Sequence, residues 1–271
     1  MSSLTYLGTD PGASKYGNFI NYYDFHPAKE RLDGFPTNIW CVDKRDTRYA
    51  CLDVGCNSGE LTQNLWEFIS ANLRLKSDAA ECGQIADCPK QSSVDEVKCM
   101  MLGLDLDQTL ILRASEANTR KDLIHFKHCD IMNDVEVEQV VGNFFGVHNQ
   151  KLDCDHKFDV VFLFSVTMWI HLNYGDPGLS KLLCTATKLS RNLIVIEPQL
   201  WKCYSAAKRR CTRAGGDGFP LLSNIKLRGN EAIEKEISKI LSEAGFKKIA
   251  EFEEPKWKRK MLFFQHSSVR M

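Results

Sequence analysis

The chain carries no excess of charge, since 35 basic side chains are matched by 35 acidic ones in 271 residues. A wholly basic nucleic-acid coat and an acidic solvating tail are therefore excluded, and only a local patch of one sign can exist. Long apolar runs are also lacking. The longest, Val160 to Ile170 with Ser165 and Thr167 inside it, is about half of what a bilayer-spanning helix requires. Met1 to Pro11 offers neither the basic nor the apolar part of a secretory leader. The expectation is a soluble, monomeric protein of the cytoplasm with no membrane partner.

Cysteine is plentiful, with 11 in the chain, but metal-binding spacing is nearly absent. No pair is C-x-x-C: Cys51 and Cys56 have four residues between them, and Cys82 and Cys88 have five. Reduced thiols are the expectation, and the knuckle of a structural zinc site is missing. His125 and His128 bracket Phe126 and Lys127 in a strand-like run, which makes them polar strand positions. No metal site is expected. Internal repeats and low-complexity tracts are likewise missing, so the order of apolar runs must carry the fold.

With 44% apolar side chains, the chain can bury one sizeable core. Ala50 to Val54 reads as a buried strand ending in a glycine turn, and Glu60 to Leu75 as the helix after it. Cys99 to Leu104 is a second strand, Gln108 to Asn118 a short helix, and Ile124 to Cys129 a third strand. Val160 to Phe164 is the continuous apolar run of a strand buried on both faces. Gly178 to Leu189 reads as a helix, and Leu193 to Ile196 as a fifth strand stopped by Pro198. Strands alternating with helices predict a parallel, doubly wound sheet. Beyond it, Ile233, Ile237, Ile240 and Leu241 mark an amphipathic helix capped at Ala244-Gly245-Phe246, and Lys248 to Phe252 and Met261 to Gln265 predict an antiparallel edge pair. Residues 1–15 read as a tail and 16–271 as one domain. Lys76 to Lys98, polar and containing Pro89, reads as a surface insertion.

Leu52-Asp-Val-Gly-Cys-Asn-Ser-Gly-Glu60 stands where the first strand turns into the first helix, and Gly55 and Gly59 remove Cβ atoms that would block a ligand. A dinucleotide fingerprint would need glycine at 55, 57 and 60; the chain has Gly55, Asn57 and Glu60. The D-x-G-x-x-x-G order is instead similar to the glycine loop of S-adenosylmethionine methyltransferases. Asp105 at the end of the second strand is placed to accept ribose hydroxyls, with Asp107 the better cap for the helix at Gln108. Asp130 and Ile131 end the third strand, where a carboxylate can bond the adenine amino group and an apolar side chain can pack on the ring.

Two longer segments are more specific. Ser165-Val-Thr-Met-Trp-Ile-His-Leu-Asn-Tyr-Gly-Asp176 and Glu197-Pro-Gln-Leu-Trp-Lys-Cys-Tyr204 follow the fourth and fifth strands. With the aromatic leader Tyr16-Gly-Asn-Phe19, Tyr22, Phe25-His-Pro27 and Arg31, they resemble the bicoid-interacting-protein family of RNA 5′-end methyltransferases. Met168, Ser58 and the basic run after Trp201 bring the chain nearest to the branch acting on RNA 5′-monophosphates, while Leu200 departs from the usual proline of that motif. The resemblance implies a Rossmann-like class I methyltransferase with a mostly parallel seven-stranded sheet. It implies cofactor contacts at Arg31, Gly55, Asn57, Asp105, Asp130, Ile131 and the backbone near Phe164. It further implies S-adenosylmethionine as cofactor, and the 5′ end of histidine transfer RNA or precursor microRNA as substrate.

Trp201 to Ala214 holds Lys202, Lys208, Arg209, Arg210 and Arg213 and no acidic residue. Beginning beside the expected methyl donor, this run is a candidate phosphate binder; an ordinary solvated helix face is the alternative. Tyr16, Asn18, Tyr22, Trp169 and His171 are the other substrate candidates, by stacking or lidding, against a packing role over the sheet. A phosphate monoester is already anionic at neutral pH, its second pKa being about 6, so no general base is expected. Two rival readings share the fold: a small-molecule or protein methyltransferase, marked by a neutral or acidic pocket rim, and an RNA-binding module without cofactor, marked by failure to bind it.

Overall fold

The computed structural model describes residues 15–43, 46–75, 97–146, 156–254 and 258–268. In chain order these build α1 (Tyr22–Phe25), β1 (Cys41–Val42), β2 (Arg48–Val54), α2 (Glu60–Asn72), β3 (Arg74–Leu75), β4 (Lys98–Asp105), α3 (Gln108–Ala117), β5 (Ile124–His128) and α4 (Asp134–Phe145). Then follow β6 (Phe158–Phe164), α5 (Thr167–Leu189), β7 (Ser190–Glu197), α6 (Trp201–Arg213), α7 (Asn230–Glu243), β8 (Phe246–Glu253) and β9 (Lys260–His266). Most of the expected tail and of the 76–98 insertion lies outside the described residues.

The sheet has seven strands in the order β5-β4-β2-β6-β7-β9-β8. All pairs are parallel up to β7, and the β7–β9 and β9–β8 pairs are antiparallel. The antiparallel pair anticipated at the edge is present, with the later strand β9 inserted between β7 and β8. The central strands read as unbroken apolar runs because both faces are covered: every residue of β6 is buried. One face packs against α2, α3 and the Phe35–Trp40 segment, through Leu61, Leu65, Ile69, Ile111 and Trp40. The other packs against α4, α5, α6 and α7, through Val141, Leu172, Leu183, Tyr204 and Ile237. Among the described residues no helix is long and apolar enough to cross a membrane.

Chain reversal places β2 at the centre, with β4 and β5 to one side and β6 and β7 to the other. Crossovers leave the sheet in opposite senses there, opening a crevice at the carboxyl ends of the strands. The helix predicted over Gly178 to Leu189 has a further helical segment ahead of it. α5 (Thr167–Leu189) is two helices joined at a kink, where Gly175 is non-helical with φ 67° and ψ −169°. The bend matters because the first half of α5, not a loop, carries the Thr167-Met-Trp-Ile-His171 stretch.

Candidate functional site

Residues delivered by four strand ends, by α5 and by the leader line one pocket in that crevice. Gly55 and Asn57 come from the turn after β2, Asp105 from the end of β4, and Asp130 and Ile131 from just beyond β5. Phe164 and Ser165 come from β6 and its exit, Trp169 from α5, and Tyr16, Asn18, Tyr22 and Arg31 from the leader. Every residue expected to touch the cofactor is thus gathered on one wall or another of this pocket.

The loop after β2 is held by backbone chemistry. Asp105 Oδ2 accepts the Asn57 amide at 2.8 Å and Oδ1 accepts that of Asp107 at 2.9 Å, so one carboxylate ties two loops together. Burial pushes its pKa up to about 6 against the lowering effect of those amides. Each oxygen keeps a further lone pair for a hydroxyl. Asp107 is the helix cap, its Oδ1 accepting the Thr109 amide at 2.8 Å. The glycines divide their work differently from the expectation. A Cβ on Gly59 would lie 2.5 Å from Phe126 Cζ and 3.0 Å from Ala114 Cβ, so its absence lets α2 seat against the sheet and does not clear space for a ligand.

The leader closes over this loop. Asn18 Nδ2 donates to Asp107 Oδ2 at 2.6 Å, Asn57 Nδ2 donates to the Phe19 carbonyl at 2.9 Å, and Tyr23 OH donates to the Cys56 carbonyl at 3.2 Å. Gly17 is required here: a Cβ would fall 2.1 Å from the Trp169 indole. Asn18 therefore anchors the leader on the cofactor side, with its amide nitrogen committed to Asp107.

A second pocket adjoins the first and shares Tyr22, Ser165 and Trp169 with it. Its other walls include Phe19, His26, Met168, Gln199, Arg210 and Arg259. Between the two lies a buried ionic cluster. Arg31 Nη2 is 2.8 Å from Glu197 Oε2, and Arg259 Nη1 is 2.9 Å from Glu197 Oε1. Ser165 Oγ stands 2.8 Å from each guanidinium, 3.0 Å from Tyr22 OH and 3.0 Å from Glu197 Oε1. Its φ of 55° is unusual for a residue other than glycine and sits at the centre of the site. Burial alone would raise the Glu197 carboxyl, but Arg31 and Arg259 pull it below its ordinary value. Both guanidiniums are in turn held charged by Glu197 despite their burial.

Gln199 completes the frame. Its Oε1 accepts from Thr167 Oγ1 at 3.1 Å and from the Met168 amide at 3.0 Å, and its Nε2 donates to the Ser165 carbonyl. The segments after β6 and β7 thus interlock through Glu197 and Gln199, which leaves Leu200 outside the contacts that matter. A model of the Bicoid-interacting protein 3 (Bin3) family matches residues 158–266, the stretch that contains both segments. The pre-miRNA 5′-monophosphate methyltransferase of Danio rerio is 36% identical over 266 residues, covering 94% of each chain. The chain belongs to the Bin3 family. The RNA 5′-monophosphate methyltransferases of Bos taurus and Homo sapiens are 34% and 32% identical to it, over 94% of this chain and 82% of theirs. Among solved structures, the N-methyltransferase NodS of Bradyrhizobium japonicum with S-adenosyl-l-homocysteine aligns with a TM-score of 0.46 at 13% identity, over 94% of this chain and 99% of its own.

The remaining substrate candidates of this Bin3 protein separate. Trp169 borders both pockets, and its indole packs on Phe19 with ring centroids 6.0 Å apart. His171 does not reach either one. Fully buried, it is bonded at Nδ1 to Tyr204 OH (2.9 Å) and at Nε2 to Asp176 Oδ1 (2.8 Å). Burial lowers its pKa despite the carboxylate, so the neutral ring gives Nε2–H to Asp176 and accepts from Tyr204 at Nδ1. It is a bridge between α5 and α6, away from the lining of both pockets. Arg210 enters the second pocket, while Lys202 borders an outer polar cleft with Trp201, Asn230 and Lys260, and Arg209 is exposed on α6. The sequence reading missed Arg259, because the charged turn between the last two strands looks like any solvated hairpin end.

Proposed function

We propose that this Bin3 protein methylates the 5′-monophosphate of a small structured RNA, taking the methyl from S-adenosylmethionine. One observation carries the proposal: the pocket that suits a nucleoside shares Tyr22, Ser165 and Trp169 with a second pocket walled by Arg210 and Arg259. A neutral or acidic rim would have favoured a small-molecule or protein substrate; this rim is cationic.

The residues fit the cofactor. Asp105 has lone pairs for the ribose hydroxyls, and Asp130 and Ile131 suit an adenine. Arg31 Nε, buried without a hydrogen-bond partner among the described residues, suits a carboxylate. When bound, S-adenosylmethionine supplies an electrophilic methyl on a sulfonium. The protein's part is to orient the acceptor. A phosphate monoester, with a second pKa of about 6, presents an anionic oxygen at neutral pH without a base. Attack by a phosphate oxygen on that methyl would form an oxygen–carbon bond and return the carbon–sulfur electron pair to sulfur, with Arg31, Asp105, Asp130 and Ile131 as the residues that would hold the cofactor. Holding oxygen and methyl in line can contribute on the order of 7–11 kcal/mol.

Precursor microRNA and histidine transfer RNA are the substrates we favour, on the names of the relatives for the first and the family resemblance for the second. The same proposal takes 16–271 as one domain, supported by a sheet that draws strands from Arg48 to His266. It also includes a monomeric state and a cytoplasmic location, tested by sedimentation and by cell fractionation. The central test incubates the protein with labelled cofactor and matched RNAs bearing 5′-hydroxyl, monophosphate or triphosphate ends. Label confined to the monophosphate is expected; equal labelling of the hydroxyl RNA would remove the proposal.

A further inference from the structure

Hydrogen-bond donors outnumber acceptors at the heart of the site. Two guanidiniums bring five N–H donors each, and the acceptors they reach are one carboxylate and the hydroxyls of Ser165 and Tyr22, the last accepting from Arg31 Nη2 at 2.7 Å. Glu197 Oε1 already takes Arg31 at 3.1 Å, Ser165 at 3.0 Å and Arg259 at 2.9 Å. Ser165 Oγ, with two lone pairs, lies within reach of three donors. The formal charge of Arg31, Arg259 and Glu197 together is +1, in a region where Arg31 and Glu197 are each 2% exposed and Arg259 is 13% exposed. A buried, donor-rich unit of net positive charge is matched by an anion with several acceptor oxygens.

The two arginines face different spaces. Arg31 lines the nucleoside pocket and not the second one; Arg259 lines the second and not the first. Both hydrogen bonds of the Arg259 side chain to described residues use Nη1. Nη2 and Nε have no such partner. The second edge of the guanidinium, the fork that suits two phosphate oxygens, thus has no partner among the described residues, in a side chain that lines the second pocket.

We propose that Arg259, just ahead of β9 and braced at Nη1 by Glu197 and Ser165, recognises the terminal phosphate of the RNA and makes the enzyme select a phosphate end over a hydroxyl end. The inference rests on the second pocket being the acceptor side of the methyl transfer. It assigns end selection to the C-terminal hairpin, which the nucleoside pocket does not involve. Charge bookkeeping favours turnover as well: methylation converts a dianionic end into a monoanion, so the contact to Arg259 weakens as product forms.

The test compares binding of two otherwise identical hairpin RNAs, one 5′-phosphorylated and one with a 5′-hydroxyl, to wild type, Arg259→Met and Arg259→Lys. S-adenosylhomocysteine affinity and melting temperature are followed in parallel. Wild type should prefer the phosphorylated RNA about 10- to 100-fold, the range for a hydrogen-bonded charged group. Arg259→Met should bring the ratio near one, with cofactor-product affinity unchanged within about twofold; Arg259→Lys, which keeps charge without the fork, should fall between. A preserved ratio in Arg259→Met, or an equal loss of both RNAs, would overturn the inference and make the residue structural. If Arg259→Met unfolds, Arg259→Lys decides alone: at unchanged melting temperature, a ratio reduced at least threefold supports the inference and an unchanged ratio overturns it. Wild type methylating only the monophosphate RNA while Arg259→Met keeps its selectivity would sink this inference and leave the proposed function standing.

Discussion

Asp105 and His171 show how similar sequence cues lead to different work. Asp105 sits at a strand end with both oxygens bonded to loop amides, so it shapes the pocket and still has lone pairs for a ligand. Asp105→Ala should weaken S-adenosylhomocysteine binding by roughly 1.5–3 kcal/mol, the cost of a charged hydrogen bond. Calorimetry reads this, and unchanged affinity with the fold intact would exclude the ribose role. His171 stands two residues beyond Trp169, in a segment that carries the family likeness, yet helical geometry turns it to the opposite side of α5 from the pockets. There it bridges Tyr204 and Asp176. His171→Phe strands the Tyr204 hydroxyl in the interior and takes one donor from Asp176 Oδ1, which keeps the Leu227 amide at 3.3 Å. A drop in melting temperature on the order of 3–10 °C is expected, with the RNA Michaelis constant unchanged at a temperature where the variant is folded.

At the level of elements, α6 presents two faces. Tyr204, Ala207 and Cys211 are buried against the core, while Lys202, Lys208, Arg209 and Arg213 are exposed and Arg210 leans into the second pocket. Arg209→Ala should therefore lower the salt dependence of RNA binding by about one unit, as loss of one phosphate contact does, without regard to the 5′ end. Arg210→Ala should penalise phosphorylated RNA in particular. Identical effects in the two variants would make the helix an undifferentiated basic surface. The leader is the other decisive element. Gly17→Ala forces a Cβ into the Trp169 indole at a φ of 75°, so the leader must lift. Cofactor and RNA affinities should then fall together. Much of this was readable in the sequence: the strand ends carrying Gly55, Asp105 and Asp130 follow from apolar runs that stop at turn residues, and Asp107 declared itself as a cap. What was not readable depended on contacts between distant segments. The burial of His171 goes with a helical segment ahead of the kink at Gly175 and a bond to Tyr204 on α6, and the role of Arg259 with a pairing to Glu197 across 62 residues of chain.

The whole molecule is neutral, and its perturbed carboxylates fall into two sets. Asp53, Asp105 and Asp159 each have a pKa pushed up to about 6, mainly by burial, whereas Glu197 and Asp176 are held below their ordinary values. These two groups act on stability in opposite senses. For the raised set, the folded state keeps protons that the unfolded chain releases between pH 4 and pH 6, so their contribution to stability falls as pH rises through that window. For the lowered set, stability is present above the ordinary carboxylate pKa and is lost as pH falls toward the depressed value. Asp53 is the cleanest probe, because its side chain makes one hydrogen bond among the described residues, accepting from Thr62 Oγ1 at 2.6 Å, which an asparagine oxygen can also accept. Asp53→Asn should cost something at every pH through its altered contact with Thr62. The burial of the charge and its attraction to Arg31 both arise only as Asp53 ionises, and burial is the larger of the two. The melting temperature of Asp53→Asn relative to wild type, measured without cofactor, should therefore rise by several degrees between pH 4.5 and pH 7. A difference that stays flat or falls over that range would mean that Asp53 is ionised throughout, and that the attraction of Arg31 outweighs its burial.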